Sequence, residues 1–311
     1  MPRISVCIPT FNYGRYLRDA VESVLAQTRG DLELVVVDNC STDDTPQIVQ
    51  EFMARDRRVR YVRNDVNVGP QRNLSRCIEV AEGEIVNVLC ADDVLEPTAI
   101  EKLARPLEER PDLALAGCAR QYVGEDLRPL FRMGFSRGSE MVPGVEAVRR
   151  CLASGNLIGE PSAVLFRKSA AARGFDASYR QLVDAEMWFH LLRSGGYAFV
   201  AEPLCKVRKH GAAETRRNVE SLVFVSEFLE LAREYAGDRV GLVPRGWRMN
   251  VALDVWGMQL RGLPIAEAHR AIRKVCPLPL FYLALPFNVP GRIALFVRER
   301  APRWRAALAG R

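Results

Sequence analysis

The stretch GEIVNVLCADDVLEP, Gly83 to Pro97, decides how this chain is read. Ile85, Val86, Val88 and Leu89 form a short run rich in β-branched residues, the mark of a buried strand, and the run stops at two adjacent carboxylates, Asp92 and Asp93. In an open parallel α/β sheet, ligands bind outside the carboxyl ends of the strands. An acid pair at that position can hold a divalent cation against a phosphate. The plainer alternative is that one Asp caps the helix suggested by Glu96, Ile100, Leu103 and Ala104.

Upstream, the same pattern of an apolar run ending in polar residues recurs. Ile4, Val6 and Ile8 alternate as a first strand that stops at Pro9, and Thr10-Phe11-Asn12 turns into a helix with Tyr16, Leu17, Ala20, Val21, Val24 and Leu25 on one face. LELVVVD at 32–38 is a second strand ending in an acid; NCSTDDTP then starts a helix at Pro46 with Ile48, Val49, Phe52 and Met53 on its buried side. Val59 to Arg63 is a third strand, and NDVNVGPQRN at 64–73 is a loop leading to a helix with Leu74, Cys77, Ile78 and Ala81. Strands alternating with helices predict a mainly parallel α/β sheet. Thr10 and Asn12, Asp38 and Asn39, and Asp92 and Asp93 should therefore line one rim.

Past Pro97 the pattern loosens. LALAGCA at 113–119 and SAVLFRKS at 162–169 read as strands, 124–145, rich in Gly, Arg and Ser, reads as a variable loop region, and GFDASYRQLVD at 174–184 reads as a loop. A helix is expected from Ala185 to Leu192 with Asp184 at its N-terminus, and YAFVAEPLCKVRKH at 197–210 as a strand, a turn and a basic segment.

Composition is that of an ordinary globular chain: 311 residues, 48% hydrophobic and 26% charged. The net charge is +6 and the pI about 9.0, with the excess in KVRKH at 206–210, Arg216-Arg217 and FVRERAPRWR at 296–305, which favours phosphates or a lipid surface as partners. Eight cysteines show no CxxC or zinc-finger spacing and read as reduced core residues of a cytosolic protein. The N-terminus MPRISVCIPT is too short and polar for a secretory signal, and no apolar run reaches the roughly 18 residues of a membrane span. There is no GxGxxG after the first strand and no GxxxxGK[ST], so phosphate handling falls to a metal and basic side chains.

The segments SVCIPTFNYGRYLRDAVESVLAQT, LELVVVDNCSTDDT, NVGPQRN, GEIVNVLCADDVLEP, VDAEMW and EPLCKVRKHG, in this order over residues 3 to 212, resemble the family 2 glycosyltransferases of GT-A fold. The resemblance implies transfer of a sugar, with inversion, from a nucleotide-diphosphate donor, with Mn²⁺ or Mg²⁺ as cofactor. It places Pro9, Thr10, Asn12, Asp38 and Asn39 in the nucleotide pocket, and Arg72 at the donor site; a solvent arginine at the helix start is the alternative for Arg72. The family usually carries Asp where this chain has Asn39. An Asn both accepts and donates, which leaves UDP, dTDP and GDP open.

The family's D-x-D-D metal motif begins here with Cys90, so Asp92, with Asp93 beside it, is the expected metal ligand. Mg²⁺ and Mn²⁺ often take only one or two protein oxygens, with diphosphate and water completing the shell. Asp184 matches the catalytic base, with a plain N-cap as its alternative and Glu186 as runner-up. Arg208 and His210 match the basic pair that closes on the diphosphate.

The expected organisation is a GT-A domain over 1–212 and a basic helical extension over 213–311, whose residues 277–305 place Leu278, Leu280, Phe281, Tyr282 and Leu283 ahead of arginines in a pattern suited to peripheral membrane contact. The expected donor is a UDP-, dTDP- or GDP-sugar and the expected acceptor a saccharide or lipid-linked acceptor of the cell envelope, held by the segments near 124–160, with the C-terminal tail as a further candidate. A nucleic-acid partner is not indicated. The expected location is the cytoplasm, with attachment to the inner face of the membrane as an alternative. The rival readings are a sugar nucleotidyltransferase, which would want a Gly-rich phosphate loop that IPTFNYGRY does not provide, and a non-catalytic sugar-nucleotide binding protein, suggested by Cys90 and Asn39.

Overall fold

A computed structural model describes residues 3–210, 223–236, 252, 255 and 265–275. The chain divides into two compact units, Met1–Val240 and Gly241–Arg311, so the contact boundary falls beyond residue 212, where the family motifs end. The C-terminal segment 277–305 lies outside the described residues. Among the described residues no helix is long and apolar enough to cross a membrane.

The first unit is built on a ten-stranded sheet flanked by helices. Strands β1 (Ile4–Thr10), β2 (Leu32–Asp38), β3 (Val59–Arg63) and β4 (Ile85–Val88) pair in parallel in the order β3-β2-β1-β4, and α1 (Gly14–Leu25), α2 (Thr45–Arg55) and α3 (Pro70–Val80) connect them. Every residue of β2 is buried, as expected of a strand covered on both faces. In register, Thr10 faces Asp38 and Asp38 faces Arg63, so these strands finish together and their polar ends form the expected rim.

The other half of the sheet is mixed. After β5 (Val94–Leu95) and α4 (Ala99–Glu109) come β6 (Leu113–Val123), β7 (Pro129–Met133), β8 (Glu140–Val142), α5 (Gly144–Ser154), β9 (Val164–Arg167), α6 (Val183–Leu191) and β10 (Gly196–Arg208). β10 runs parallel to β6, whereas β9 pairs antiparallel with β4 and β6, and β5 and β8 pair antiparallel with β10. The antiparallel β4–β9 pairing brings the 156–163 segment to the acid turn.

Several local expectations are corrected. The 124–145 region is not all loop: it carries β7 and β8, and β7 shows no apolar alternation because it pairs only with β6 and neither of its faces is buried. Met53 is 43% exposed, because Thr45, Ile48, Val49 and Phe52 already form the buried stripe of α2. The 197–210 segment holds one continuous strand to Arg208; bulges between Val200 and Cys205 absorb Pro203 without a turn. After β10, α7 (Val223–Ala236) belongs to the same unit, and Glu227 on it accepts backbone N–H bonds from Arg180, Gln181 and Leu182 at 2.6–2.9 Å, fixing the entry to α6. In the second unit, α8 (Ile265–Val275) buries Ala268, Ala271 and Ile272.

Candidate active site

On the nucleotide side of the rim, the expected residues interlock. Asn12 takes a left-handed conformation (φ 56°); its Oδ1 accepts from the Thr42 N–H at 2.7 Å and its own N–H donates to Ser41 Oγ at 2.9 Å, tying the turn after β1 to the turn after β2. Pro9 is half-buried. Thr10 is buried, and its hydroxyl has no hydrogen-bond partner among the described residues. Asp38 is fully buried: Oδ1 accepts from the Ser41 N–H at 2.8 Å and Oδ2 from the Tyr61 hydroxyl at 2.5 Å. Burial and that carboxylate push the Tyr61 hydroxyl up to about 12.

Asn39 uses the donor that a carboxylate lacks. Its Nδ2 donates to Asn67 Oδ1 at 2.8 Å, while Oδ1 accepts from Asn64 Nδ2 at 3.1 Å and the Val68 N–H at 2.9 Å. Asn64 also donates to Asn73, which donates to the Val37 carbonyl. Asn39 is thus the hub that pins the 64–69 loop to the end of β2. Arg72 is exposed in the first turn of α3, with no hydrogen-bond or ion-pair partner among the described residues.

The acid turn is held from β10. Asp93 is buried; its Oδ2 accepts from the Ser162 hydroxyl at 2.5 Å and its Oδ1 from the Arg208 N–H at 3.0 Å. Burial, then the neighbouring charge of Asp92, drives its carboxyl well above the usual range. Arg208 is a second brace: Nε donates to the Asp92 carbonyl and Nη2 to Asp19, and the guanidinium lies 4.7 Å from the Tyr16 ring centre. Asp92 projects further toward solvent, with Oδ2 2.8 Å from Nε2 of His210, whose ring contacts Tyr13 and Tyr16.

Ligand atoms of Cys90, Asp92 and Asp93 lie within 4.8 Å of one another, close enough for one cation to reach all three. Their chemistry separates them. Burial pushes the Cys90 thiol well up, so it stays a neutral soft donor, and both Asp93 oxygens are engaged. Asp92 offers the hard oxygen at the surface, which fits a Mg²⁺ or Mn²⁺ that takes one protein carboxylate and fills its shell with diphosphate and water.

Asp184 lies in the first turn of α6, not at its N-cap, which is Leu182. Oδ1 accepts from the Ala185 N–H at 2.7 Å and Oδ2 from Asn156 Nδ2 at 3.0 Å. Burial first, then the negative charge of Glu160, raises its carboxyl to about 7. Glu160 also bears electrostatically on Asp93, so the 156–160 segment runs between the acid turn and Asp184. Glu186 points elsewhere: it is buried, paired with Arg173 at 2.6 and 3.0 Å, and accepts from the Tyr235 hydroxyl. Asn156, Glu160 and Ser162 were not anticipated; their only trace in the sequence is three polar residues at spacings of four and two in NLIGEPS, too common a pattern to mark a site.

The chain has recognisable relatives in sequence and in fold. A protein of Mycobacterium tuberculosis named "Uncharacterized protein MT1568" is 35% identical over 235 residues, 70% of this chain and 72% of the relative. The "GalNAc(5)-diNAcBac-PP-undecaprenol beta-1,3-glucosyltransferase" of Campylobacter jejuni is 32% identical over 142 residues, 45% of this chain and 46% of the relative, so this match spans less than half of that enzyme. Among solved structures, TarS 1-349 of S. aureus in complex with UDP-GlcNAc aligns with a TM-score of 0.59 at 18% identity, over 98% of this chain and 79% of that one. Mannosyltransferase PcManGT of Pyrobaculum calidifontis, in complex with GDP-Man and Mn2+, aligns with a TM-score of 0.58 at 16% identity, over 96% and 84%. At these identities the structures establish the shared fold, the GT-A arrangement. The profile described as Glycosyl transferase family 2 matches residues 5–175, more than half of the chain. The chain therefore belongs to glycosyl transferase family 2.

Proposed function

We propose that this chain transfers a sugar, with inversion, from a nucleotide-diphosphate donor to an acceptor hydroxyl in cell-envelope glycan synthesis, and that the reaction depends on a divalent metal. The observation that carries the reading is two carboxylates in different surroundings: Asp92, part-exposed beside His210, and Asp184, held against Asn156 and raised by burial to about 7. Asp92 would hold Mg²⁺ or Mn²⁺, whose charge offsets that of the departing diphosphate. Asp93 supports the turn from behind through Ser162 and Arg208.

Asp184 accepts the proton of the acceptor hydroxyl as its oxygen bonds to the anomeric carbon and the bond from that carbon to the diphosphate breaks. A carboxylate with a proton affinity near neutrality suits this work, because it is ionised in a useful fraction yet basic enough to take the proton. Arg208 and His210 bring positive and hydrogen-bonding groups to the diphosphate side. The Campylobacter relative's name supports a lipid-linked acceptor, and the structural neighbours' ligands support UDP- or GDP-sugars as first donors to try. Release of nucleotide from UDP-N-acetylglucosamine and GDP-mannose, with and without Mn²⁺, tests the reading: turnover lost in Asp184→Asn with metal-dependent nucleotide binding retained is the expected result. Turnover at the wild-type rate in that variant would remove Asp184 from the role.

A further inference from the structure

The segment Asn156-Leu157-Ile158-Gly159-Glu160, which joins α5 to the 3-10 turn before β9, is held more tightly than a surface connection requires. Arg120, 1% exposed in β6, donates through Nη1 to the carbonyls of Leu157 (2.9 Å) and Ile158. Gly159 has φ +99°, and a Cβ there would lie 1.9 Å from Arg120 Nη1, so only glycine lets the segment close over the guanidinium. The Gly159 carbonyl accepts from Trp188 Nε1 at 2.8 Å, and Trp188 lies one turn along α6 from Asp184. The segment is thereby locked to the helix that carries the carboxylate.

Within it, the carboxamide of Asn156 has a defined orientation. Its Oδ1 accepts from the Gly159 N–H at 2.9 Å, so its Nδ2 must be the group facing Asp184 Oδ2 at 3.0 Å. We propose that Asn156 is the positioning residue of Asp184: its amide aims one carboxylate oxygen and favours the ionised, proton-accepting form. The proposal rests on the reading of Asp184 as the base. The alternative donor on that oxygen would be water, which an acceptor sugar displaces; a side-chain donor anchored by Gly159 stays.

The titratable and charged groups facing Asp184 are Glu160 on the same segment, Arg120 from β6 and the Cys151 thiol from α5. Glu160 opposes Asn156 in effect. Its Oε1 accepts from the Tyr122 hydroxyl at 2.6 Å and its Oε2 lies 3.3 Å from Arg120 Nε, so its negative charge is fixed in place beside the carboxyl that Asn156 stabilises as an anion. Two neighbours of opposite influence on one short segment give a test with opposite signs.

The test is the titration of Asp184 itself, read by carbon-13 NMR of carboxyl-labelled aspartate, with the resonance assigned by its absence in Asp184→Asn. Asn156→Ala removes one hydrogen bond to the charged form, and the midpoint should rise by about one pH unit. Asn156→Asp should raise it further by like-charge repulsion, and Glu160→Gln should lower it. Nucleotide release from the donor sugars should fall about 10- to 100-fold in Asn156→Ala, while binding of UDP or GDP with Mn²⁺ stays within about two-fold of wild type. Should Asn156→Ala fail to fold, Asn156→Ser, which keeps a hydroxyl for Gly159 but is too short to reach Asp184, carries the same expectation. An Asp184 midpoint unchanged in a folded Asn156 variant overturns the proposal. If instead Asp184→Asn keeps wild-type turnover while the midpoints shift as stated, Asn156 controls a carboxyl that is not the base, and the functional reading fails separately.

Discussion

Oδ2 of Asp92 lies 2.8 Å from Nε2 of His210, so the carboxylate proposed to meet the metal is oriented by the second residue past the end of β10. The His210 ring is buried against Tyr13 and Tyr16, which fixes the direction of that contact. Arg208, two residues earlier, grips the backbone of Asp92 and, through its own N–H, the side chain of Asp93. The acid turn is therefore shaped by a strand more than a hundred residues away.

Asp92→Asn separates charge from shape. The amide oxygen can still meet His210, so folding and melting temperature should stay near wild type, but a neutral oxygen is a poor ligand for Mg²⁺ or Mn²⁺. Calorimetric titration of UDP and GDP in the presence of Mn²⁺ should show at least about a 10-fold loss of the metal-dependent part of the affinity. Retention of that part would place the cation on other ligands.

Glu186→Gln should damage stability and leave the chemistry alone. Glu186 is 0% exposed and answers both Arg173 and the Tyr235 hydroxyl, and removing its charge strands a half-buried guanidinium. Full burial of both partners would make the loss about 3–5 kcal/mol; with Arg173 36% exposed, water takes up part of it and about 1–3 kcal/mol is expected from urea melts. Donor turnover per folded molecule should match wild type. A turnover loss comparable with that of Asp184→Asn would reopen Glu186 as a base.

Asn39→Asp restores the acid that the family usually carries and should weaken the loop it sits under. The new carboxylate cannot donate to Asn67 Oδ1, itself engaged by the Gly69 N–H, and two acceptors would face each other. The expected loss is about 1–2 kcal/mol, with faster amide hydrogen exchange at Val68 and Gly69. Unchanged exchange at both amides would show that Asn39 does not hold the loop.

The parallel half of the sheet was legible because each strand is an apolar run that ends in polar residues, as with Leu32–Val37 before Asp38. Asp92 was legible as a candidate from its place at a strand end, whereas Asp184, Arg208 and His210 became candidates only through the ordered family motifs; the structure joins Asp92 to Arg208 and His210 by direct contacts. Their supports were not legible. Ser162 reaches Asp93 because β9 pairs antiparallel with β4, and Asn156 and Glu160 lie on a segment with no periodicity, pinned by a buried Arg120 that looks in sequence like any surface arginine. Asp184 also read as a helix cap, and the structure puts Leu182 at the cap and Asp184 inside the first turn.

The last prediction concerns pH and turns on the same carboxyl. An Asp raised from its ordinary value of 3.8 to about 7 binds its proton more tightly in the folded chain than in the unfolded one. Between about pH 4 and about pH 7 the unfolded state has released the proton and the folded state still holds it, so this group's contribution makes stability fall as pH rises through that window and level off above it. Asp184→Asn carries no titrating proton. Its stability relative to wild type should therefore climb from about pH 4 to about pH 7 and then stay flat, by at most about 4 kcal/mol from the size of the shift and by less where water reaches the carboxyl. A constant offset from loss of the favourable Asn156 contact does not alter the shape of that curve. Turnover of the wild type should rise over the same window as the carboxyl ionises, so the variant gains stability in the pH range where the enzyme gains activity. Urea melts of both proteins at closely spaced pH values give the curve; a difference that does not vary with pH would mean that Asp184 is ionised throughout and not tuned for proton transfer near neutrality.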